Sequence, residues 1–187
     1  MMMDQNTLKR IRDGDAKAFE QLVCTYQHEM LCIAARITGQ VADAEEIRQL
    51  IFVRIWQSPE KLPHPDMFKA WLRRCVVNES ISFIRQQRRK REGLLNGDVE
   101  DQHDANTMAE KESDAQHLRQ ALNQLEPEQR AILSLKFDQQ MAVRDIGLVL
   151  EQPHTTIQSK LERAIKELRS LVSNARRSRD AQRPSPR

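Results

Sequence analysis

The chain has 187 residues, 30% of them charged and 39% hydrophobic, with a formal net charge of +3. That length sets one or two domains, and the composition suits a surface-rich, soluble helical protein. No run approaches the 18 apolar residues of a transmembrane helix, so no membrane insertion is expected, and Met1-Met2-Met3-Asp4-Gln5 lacks the apolar segment of a signal peptide.

Apolar residues recur at helical spacing nearly everywhere, and strand alternation is absent. Phe19, Leu22, Val23, Tyr26, Met30, Ile33, Ala34 and Ile37 share one face. Asp15 is the expected cap of this helix and Gly39 its stop. Val41, Ala44, Ile47, Ile51, Ile55 and Trp56 mark a second helix. Three prolines between residues 59 and 65 cannot sit in a helix interior, so 58–66 reads as a stiff loop. Asp66 is the expected cap of the next helix, which buries Phe68, Trp71, Leu72, Cys75, Val76 and Phe83. Seven of the eight aromatics precede residue 84, giving the first half the bulkier core. The three cysteines, Cys24, Cys32 and Cys75, fall in these helices without a CxxC pair and read as reduced, buried apolar residues.

Charge then divides the chain. Residues 85–91 carry Arg85, Arg88, Arg89, Lys90 and Arg91 without an acid, and 92–116 carry eight acids against Lys111 alone. With Gly93, Gly97 and little periodicity, 92–114 reads as a flexible acidic linker. Periodicity returns at Leu118, Leu122 and Leu125, then at Ala131, Ile132, Leu135 and Phe137. Val143, Ile146, Val149 and Leu150 mark a further helix, and Ile157, Leu161, Ala164, Ile165, Leu168 and Leu171 the last. A basic tail, 173–187, with Pro184 and Pro186, is expected to be disordered. The fold class expected is all-α. Two small helical domains, 1–91 and 115–172, are joined by the linker, and the second is a helix-turn-helix.

A short helix, a break at Glu151-Gln152-Pro153 and a longer helix make a helix-turn-helix pattern. Proline is tolerated where the second helix starts, because its missing N–H falls among the unpaired groups of the first turn. His154, Thr155, Gln158 and Ser159 then face away from Ile157 and Leu161, as short polar groups that can reach base edges in a major groove. Lys160 and Arg163 can hold phosphates. An ordinary amphipathic hairpin with a solvated polar face gives the same pattern. In the first half Trp71, Asn78, Ser82 and Arg85, spaced 7, 4 and 3, fall on one helical stripe. An aromatic face, an amide, a hydroxyl and a guanidinium in sequence suit an unstacked strand, and the proline loop can wall a pocket for a flipped base. The alternative is that Trp71 is core and the arginine run is solvated.

No glycine-rich phosphate loop, HExxH pair or Cys/His set at ligand spacing is present, and His28, His64, His103, His117 and His154 are scattered. No catalytic group, metal or cofactor is expected; the chain reads as a binding protein and not an enzyme.

Taken together, these segments carry a family resemblance. Asp43-Ala44-Glu45-Glu46-Ile47-Arg48-Gln49, with Phe52 and Trp56, resembles the polymerase-binding helix of bacterial sigma factors. Phe68, Trp71-Leu72 and Asn78, followed by Arg85, Arg88 and Arg89, resembles the promoter-melting helix. Leu122, Leu125-Glu126-Pro127, Arg130, Ile146, Leu150, Thr156-Ile157-Gln158-Ser159-Lys160-Leu161 and Arg163-Ala164 are similar to the minus-thirty-five domain. In order and spacing these match the extracytoplasmic-function (ECF) subfamily of the sigma-70 family. The resemblance implies a cytoplasmic RNA polymerase sigma factor. Its partners would be core RNA polymerase, promoter DNA and an anti-sigma factor, as for many relatives. Asp43, Glu46, Gln49, Leu50, Phe52 and Trp56 would contact the polymerase. Trp71, Asn78, Ser82, Arg85, Arg88 and Arg89 would handle the minus-ten element. His154, Thr155, Thr156, Gln158, Ser159, Lys160 and Arg163 would enter the minus-thirty-five groove. The alternative is a stand-alone helix-turn-helix regulator.

Four residues depart from the family pattern. Leu50 replaces an acid, Ser82 an Asp, Gln158 a common Lys, and Glu151 the turn glycine. A left-handed Glu151 would cost on the order of 1 kcal/mol. Promoter elements of such factors lie about 60 Å apart at roughly 34 Å per turn of DNA. A linker reaching about 80 Å when extended, at ~3.3 Å per residue, bridges that distance without fixing it. The domains are therefore expected to be held apart by the polymerase.

Overall fold

The computed structural model describes residues 4–94 and 111–182. Asp4 caps a first helix, α1 (Gln5–Arg12), by accepting the Thr7 N–H at 2.6 Å. The helix buries only Leu8 and Ile11, too few apolar positions to stand out as a period. Asp15 caps α2 (Ala16–Thr38), accepting from the Lys17 and Ala18 N–H groups at 2.9 and 3.2 Å. Gly39 ends α2 in the left-handed region, at φ 83°, where a β-carbon is disfavoured.

Helix α3 (Val41–Gln57) stops at Ser58 before Pro59, a single 3-10 turn covers Pro59–Lys61, and α4 (Pro65–Leu94) starts on a proline. That start is a residue before the expected Asp66 cap, and Pro65 suits it because its fixed φ is already helical. Helix α2 packs against both α3 and α4, which also touch each other. Its buried Leu22, Tyr26, Met30 and Ile33 share a core with Ile47, Ile51, Ile55, Phe68, Leu72 and Val76. The Tyr26 and Phe68 rings sit 5.4 Å apart. Each such apolar side chain contributes about 1.5–3 kcal/mol by leaving water. Leu62 is buried, and the Arg12 guanidinium donates to its carbonyl at 2.7 Å, so α1 braces the proline loop.

The second half comprises α5 (Lys111–Gln124), α6 (Pro127–Leu133), a π turn (Ser134–Asp138), α7 (Val143–Leu150) and α8 (His154–Gln182). Pro127 opens α6, and Gln129 accepts the Glu126 N–H at 2.8 Å, satisfying one first-turn donor. The π turn turns Phe137 outward, so it is not the core residue that its spacing suggested.

Three expectations are corrected. Helix α8 runs on to Gln182, so residues 173–182 of the supposed disordered tail are helical. No proline or glycine interrupts the chain from His154 to Gln182, and Pro184 is the first breaker; residues 183–187 lie outside the described residues. Likewise α4 enters the predicted linker to Leu94 and α5 leaves it from Lys111, the rest lying outside the described residues. Cys24 is exposed rather than buried, while Cys32 and Cys75 are half-buried and all three are free thiols.

The two halves are also not apart. They share one apolar cluster, in which Ile132, Leu135 and Met141 join the residues of α2 and α4. Arg36 on α2 grips Asp138 with two hydrogen bonds of 3.0 and 3.1 Å. Arg74 on α4 donates to the Leu148 and Val149 carbonyls at 3.0 Å each and pairs with the Glu151 carboxylate. Its guanidinium thereby satisfies the last, unpaired carbonyls of α7. Arg73 pairs with Glu29 at 2.6 Å and reaches the Met141 sulfur at 3.2 Å. Gly39 lies so close to Asn123 of α5 that a β-carbon there would approach its Oδ1 to 2.6 Å.

Candidate nucleic-acid interface

Three surfaces carry the residues singled out in the sequence. The first is the outer face of α3. Glu46 and Gln49 are exposed, Leu50 is 36% exposed, and Val53 and Trp56 are 49% and 44% exposed. Trp56 leans on Phe19, ring centres 4.9 Å apart. Asp43 is half-buried, and desolvation together with the nearby Glu46 charge raises its pKa, against a smaller opposing pull from Arg91. Phe52 does not belong to this face. It is 8% exposed and meets Phe19 edge-on at 6.3 Å. On the helical wheel it lies between inward Ile55 and outward Gln49 and Trp56, and the aromatic contact draws it inward. Val53, which spacing alone did not single out, takes the outward place.

The second surface is on α4. Trp71 is half-buried against Phe68 at 5.7 Å. With Asn78 it lines a cleft of about 400 Å³ beneath the proline loop, whose other walls include Arg54, Lys61, Cys75 and Glu79. Arg54 and Glu79 are ion-paired across α3 and α4. Burial pushes the Cys75 thiol up to about 11, against smaller opposing effects of Arg74 and Arg54, so the thiol stays neutral. The volume falls within the range of small-ligand pockets. Asn78 also opens onto a larger, polar cleft of about 650 Å³, lined by Ile81, Ser82, Arg85, Gln86 and Arg89 and closed by Glu128 of α6. The predicted stripe is therefore brought together as two adjoining clefts that share Asn78. Arg88 faces elsewhere, 3.7 Å from Glu126.

The third surface is the start of α8. Gly147 lets the turn close: a β-carbon there would come within 2.7 Å of the Gln152 carbonyl oxygen. Glu151 is left-handed at φ 54°, and its N–H and that of Gln152 both bond the Gly147 carbonyl. His154, Thr155, Gln158, Ser159 and Arg163 are exposed and Thr156 is half-buried. Gln158 donates to Glu162 at 2.6 Å and the Ser159 hydroxyl donates back to the Thr155 carbonyl at 3.1 Å. Lys160 is not free. Its ammonium donates to Glu128 at 2.7 Å and to the Gln152 side-chain oxygen at 3.0 Å, while Gln152 donates to Glu128 at 2.9 Å. Burial raises the pKa of Glu128, but the Lys160 and Gln152 hydrogen bonds and the charges of Lys160 and Arg85 outweigh it and hold the carboxyl below the usual range. The role of Glu128 was not legible in the sequence, since it lies 32 residues from Lys160 on another helix.

Among the described residues no cluster of three or more His, Cys, Asp or Glu could hold a metal ion, and no helix is long and apolar enough to cross a membrane.

Comparison with known proteins gives these surfaces a context. Residues 22–90 match the model of Sigma-70 region 2, and residues 115–168 that of Sigma-70 region 4. The chain is 24% identical over 184 residues to the ECF RNA polymerase sigma factor SigW of Bacillus subtilis, covering 91% of this chain and 97% of that one. It is 27% identical over 164 residues to the RNA polymerase sigma-E factor of Streptomyces avermitilis, covering 86% and 88%. Among solved structures, CnrH in complex with the cytosolic domain of CnrY matches with a TM-score of 0.65 at 21% identity, covering 91% of this chain and 97% of that one. The sigma factor RpoE of Bartonella quintana in complex with the anti-sigma factor NepR gives a TM-score of 0.67 at 23% identity, covering 84% and 98%. With both sigma regions present in order and the relatives matched nearly end to end, the chain belongs to the extracytoplasmic-function subfamily of the sigma-70 family of RNA polymerase sigma factors.

Proposed function

We propose that the three surfaces divide the work of a sigma factor that directs core RNA polymerase to promoters without chemistry of its own, acting in the cytoplasm. The outer face of α3, with Asp43, Glu46, Gln49, Leu50 and Trp56, docks the polymerase. Trp71, Asn78, Ser82, Arg85, Arg88 and Arg89 open and read the minus-ten element. The cleft under the proline loop is the receptacle for a flipped base, with Trp71 as stacking wall and Asn78 as edge reader. His154, Thr155, Thr156, Gln158, Ser159, Lys160 and Arg163 meet the minus-thirty-five element, where the short polar groups face bases and the cations phosphates. Residues 1–91 and 115–172 are the two working units. An anti-sigma factor that covers the α3 face is a further partner, as the complexes of the structural neighbours suggest.

The observation that carries this reading is the pair of sigma regions, each presenting an exposed polar helix face. The test is reconstituted transcription with core polymerase on a promoter library. A bipartite motif with a narrow spacer is expected, and only with core enzyme present. Sequence-specific DNA binding with no effect on where RNA synthesis starts would instead mark a stand-alone regulator.

A further inference from the structure

The outer face of α2 carries chemistry that none of the three surfaces uses. Cys24, His28 and Cys32 follow one another at four-residue spacing, so they fall within an arc of about 80° on successive turns. That arc lies opposite Leu22, Tyr26, Met30 and Ile33, which are buried in the core. Cys24 and His28 are exposed, and Cys32 is half-buried. The Cys32 sulfur lies 3.5 Å from Nε2 of His28. Among the described residues Cys24 has no such partner. The third thiol, Cys75, lines the cleft beneath the proline loop, where burial pushes it up to about 11.

A thiol beside an imidazole can serve as a pair of metal ligands or as a nucleophile with its base. The first use fails on ligand number. Among the described residues no third His, Cys, Asp or Glu joins the pair, and a zinc site takes three or four protein ligands. The second use needs only the pair. A neutral imidazole with its proton on Nδ1 offers Nε2 to the thiol proton, and the sulfur that gives it up is the attacking atom.

The spacing of the thiols also decides what the sulfur can attack. Cys24 and Cys32 stand eight residues apart on one helix, about 12 Å at 1.5 Å per residue. A disulfide needs its α-carbons within about 7 Å. Cys24 can therefore neither bridge to Cys32 nor displace a group attached there, and Cys75 opens onto a different cleft. The second sulfur has to come from outside the chain.

We propose that Cys32 is a site of reversible S-thiolation, with His28 as its base and a small disulfide of the glutathione class as its reagent. The Cys32 sulfur attacks one sulfur of R–S–S–R as its proton passes to Nε2 of His28. The Cys32–S–S–R bond forms and the S–S bond of the reagent breaks. The departing thiolate takes the proton from the imidazolium and leaves as RSH. Cys32 is oxidised and half of the reagent is reduced, so no further oxidant is required. Because Cys24 cannot resolve the mixed disulfide, it persists until an external thiol reverses the exchange. The site lies on none of the surfaces assigned to polymerase or DNA, and it does not depend on the sigma-factor reading.

The test exposes the reduced full chain to oxidised glutathione near neutral pH and follows each cysteine by peptide mass mapping. Cys32 is expected to gain glutathione faster than the more exposed Cys24 by on the order of tenfold, part of the ~100-fold that a positioned base supplies being offset by its lesser exposure. Cys75 should be slowest. His28→Gln, at an exposed position, should bring Cys32 down to the rate of Cys24 or below it while the Cys24 rate stays the same, with circular dichroism checking that helix content is unchanged. Cys24→Ser should leave the Cys32 rate as it was, and dithiothreitol should return the Cys32 peptide to its starting mass. Glutathione accumulating at Cys24 as fast as at Cys32, or a His28→Gln variant whose Cys32 reacts at the wild-type rate, would overturn the proposal.

Discussion

Lys160 shows how a side chain assigned to DNA can be occupied beforehand. In its proposed role the bond to Glu128 is exchanged for a phosphate, so its contribution to promoter binding would be the difference between two anions. Lys160→Ala should weaken binding at low salt and reduce the slope of log affinity against log salt by about one, measured on promoter fragments with holoenzyme. Glu128 gives a pH signature. Its folded pKa lies below the ordinary carboxylate value of 4.5, so its ionised form stabilises the fold fully above that value, and the contribution disappears as pH falls through the lower folded value. The melting temperature should drop over that acid range, and Glu128→Gln should flatten the profile; an unchanged profile would remove the network from the account. The cysteines separate by environment. Cys24 is exposed, whereas the Cys75 thiol is pushed up to about 11. Iodoacetamide near pH 8 should therefore label Cys24 well before Cys75, as peptide mass mapping would show.

At the scale of elements, most helices were legible because their apolar residues repeat at 3.6 and because Asp15, Gly39, Pro59, Pro65 and Pro127 punctuate them. What stayed hidden has physical reasons. Helix α1 buries two side chains only, and α8 runs on past Leu171 and Val172, the last apolar residues of its periodic face, through a stretch with no helix breaker before Pro184. Phe52 sits on the boundary of a helical wheel, where only the neighbouring Phe19 decides its direction. The turn of the helix-turn-helix was legible as a break, but its tolerance is a packing fact. Gly147→Ala would drive a β-carbon into the Gln152 carbonyl oxygen, 2.7 Å away. Overpacking of this kind typically costs about 1–3 kcal/mol, so the variant should melt at lower temperature and lose minus-thirty-five binding together.

For the whole molecule, the docking of one half on the other was the feature least available from sequence. Arg36 and Asp138 are 102 residues apart, and Ile132, Leu135 and Met141 look like ordinary core positions whichever helix covers them. Periodicity reports that a face is buried, not against what. The clefts on α4 follow the same rule: the stripe of Trp71, Asn78, Ser82 and Arg85 could be read off the chain, while its partners Arg54, Glu79 and Glu128 come from other helices. A shared apolar cluster also couples the halves energetically. Thermal unfolding at low salt should be one calorimetric transition, splitting into two when high salt weakens the ionic part of that docking. Two separate transitions at every salt concentration would show that the halves do not support each other.

The clasp between Arg12 and the Leu62 carbonyl reaches further than a local brace. It ties the opening stretch of the polypeptide to Leu62, a residue in the wall of a pocket fifty residues downstream. Trimming that stretch, or fusing a bulky reporter to it, should leave the helices standing yet loosen the wall. The damage would then show up as poor strand separation by a well-folded protein.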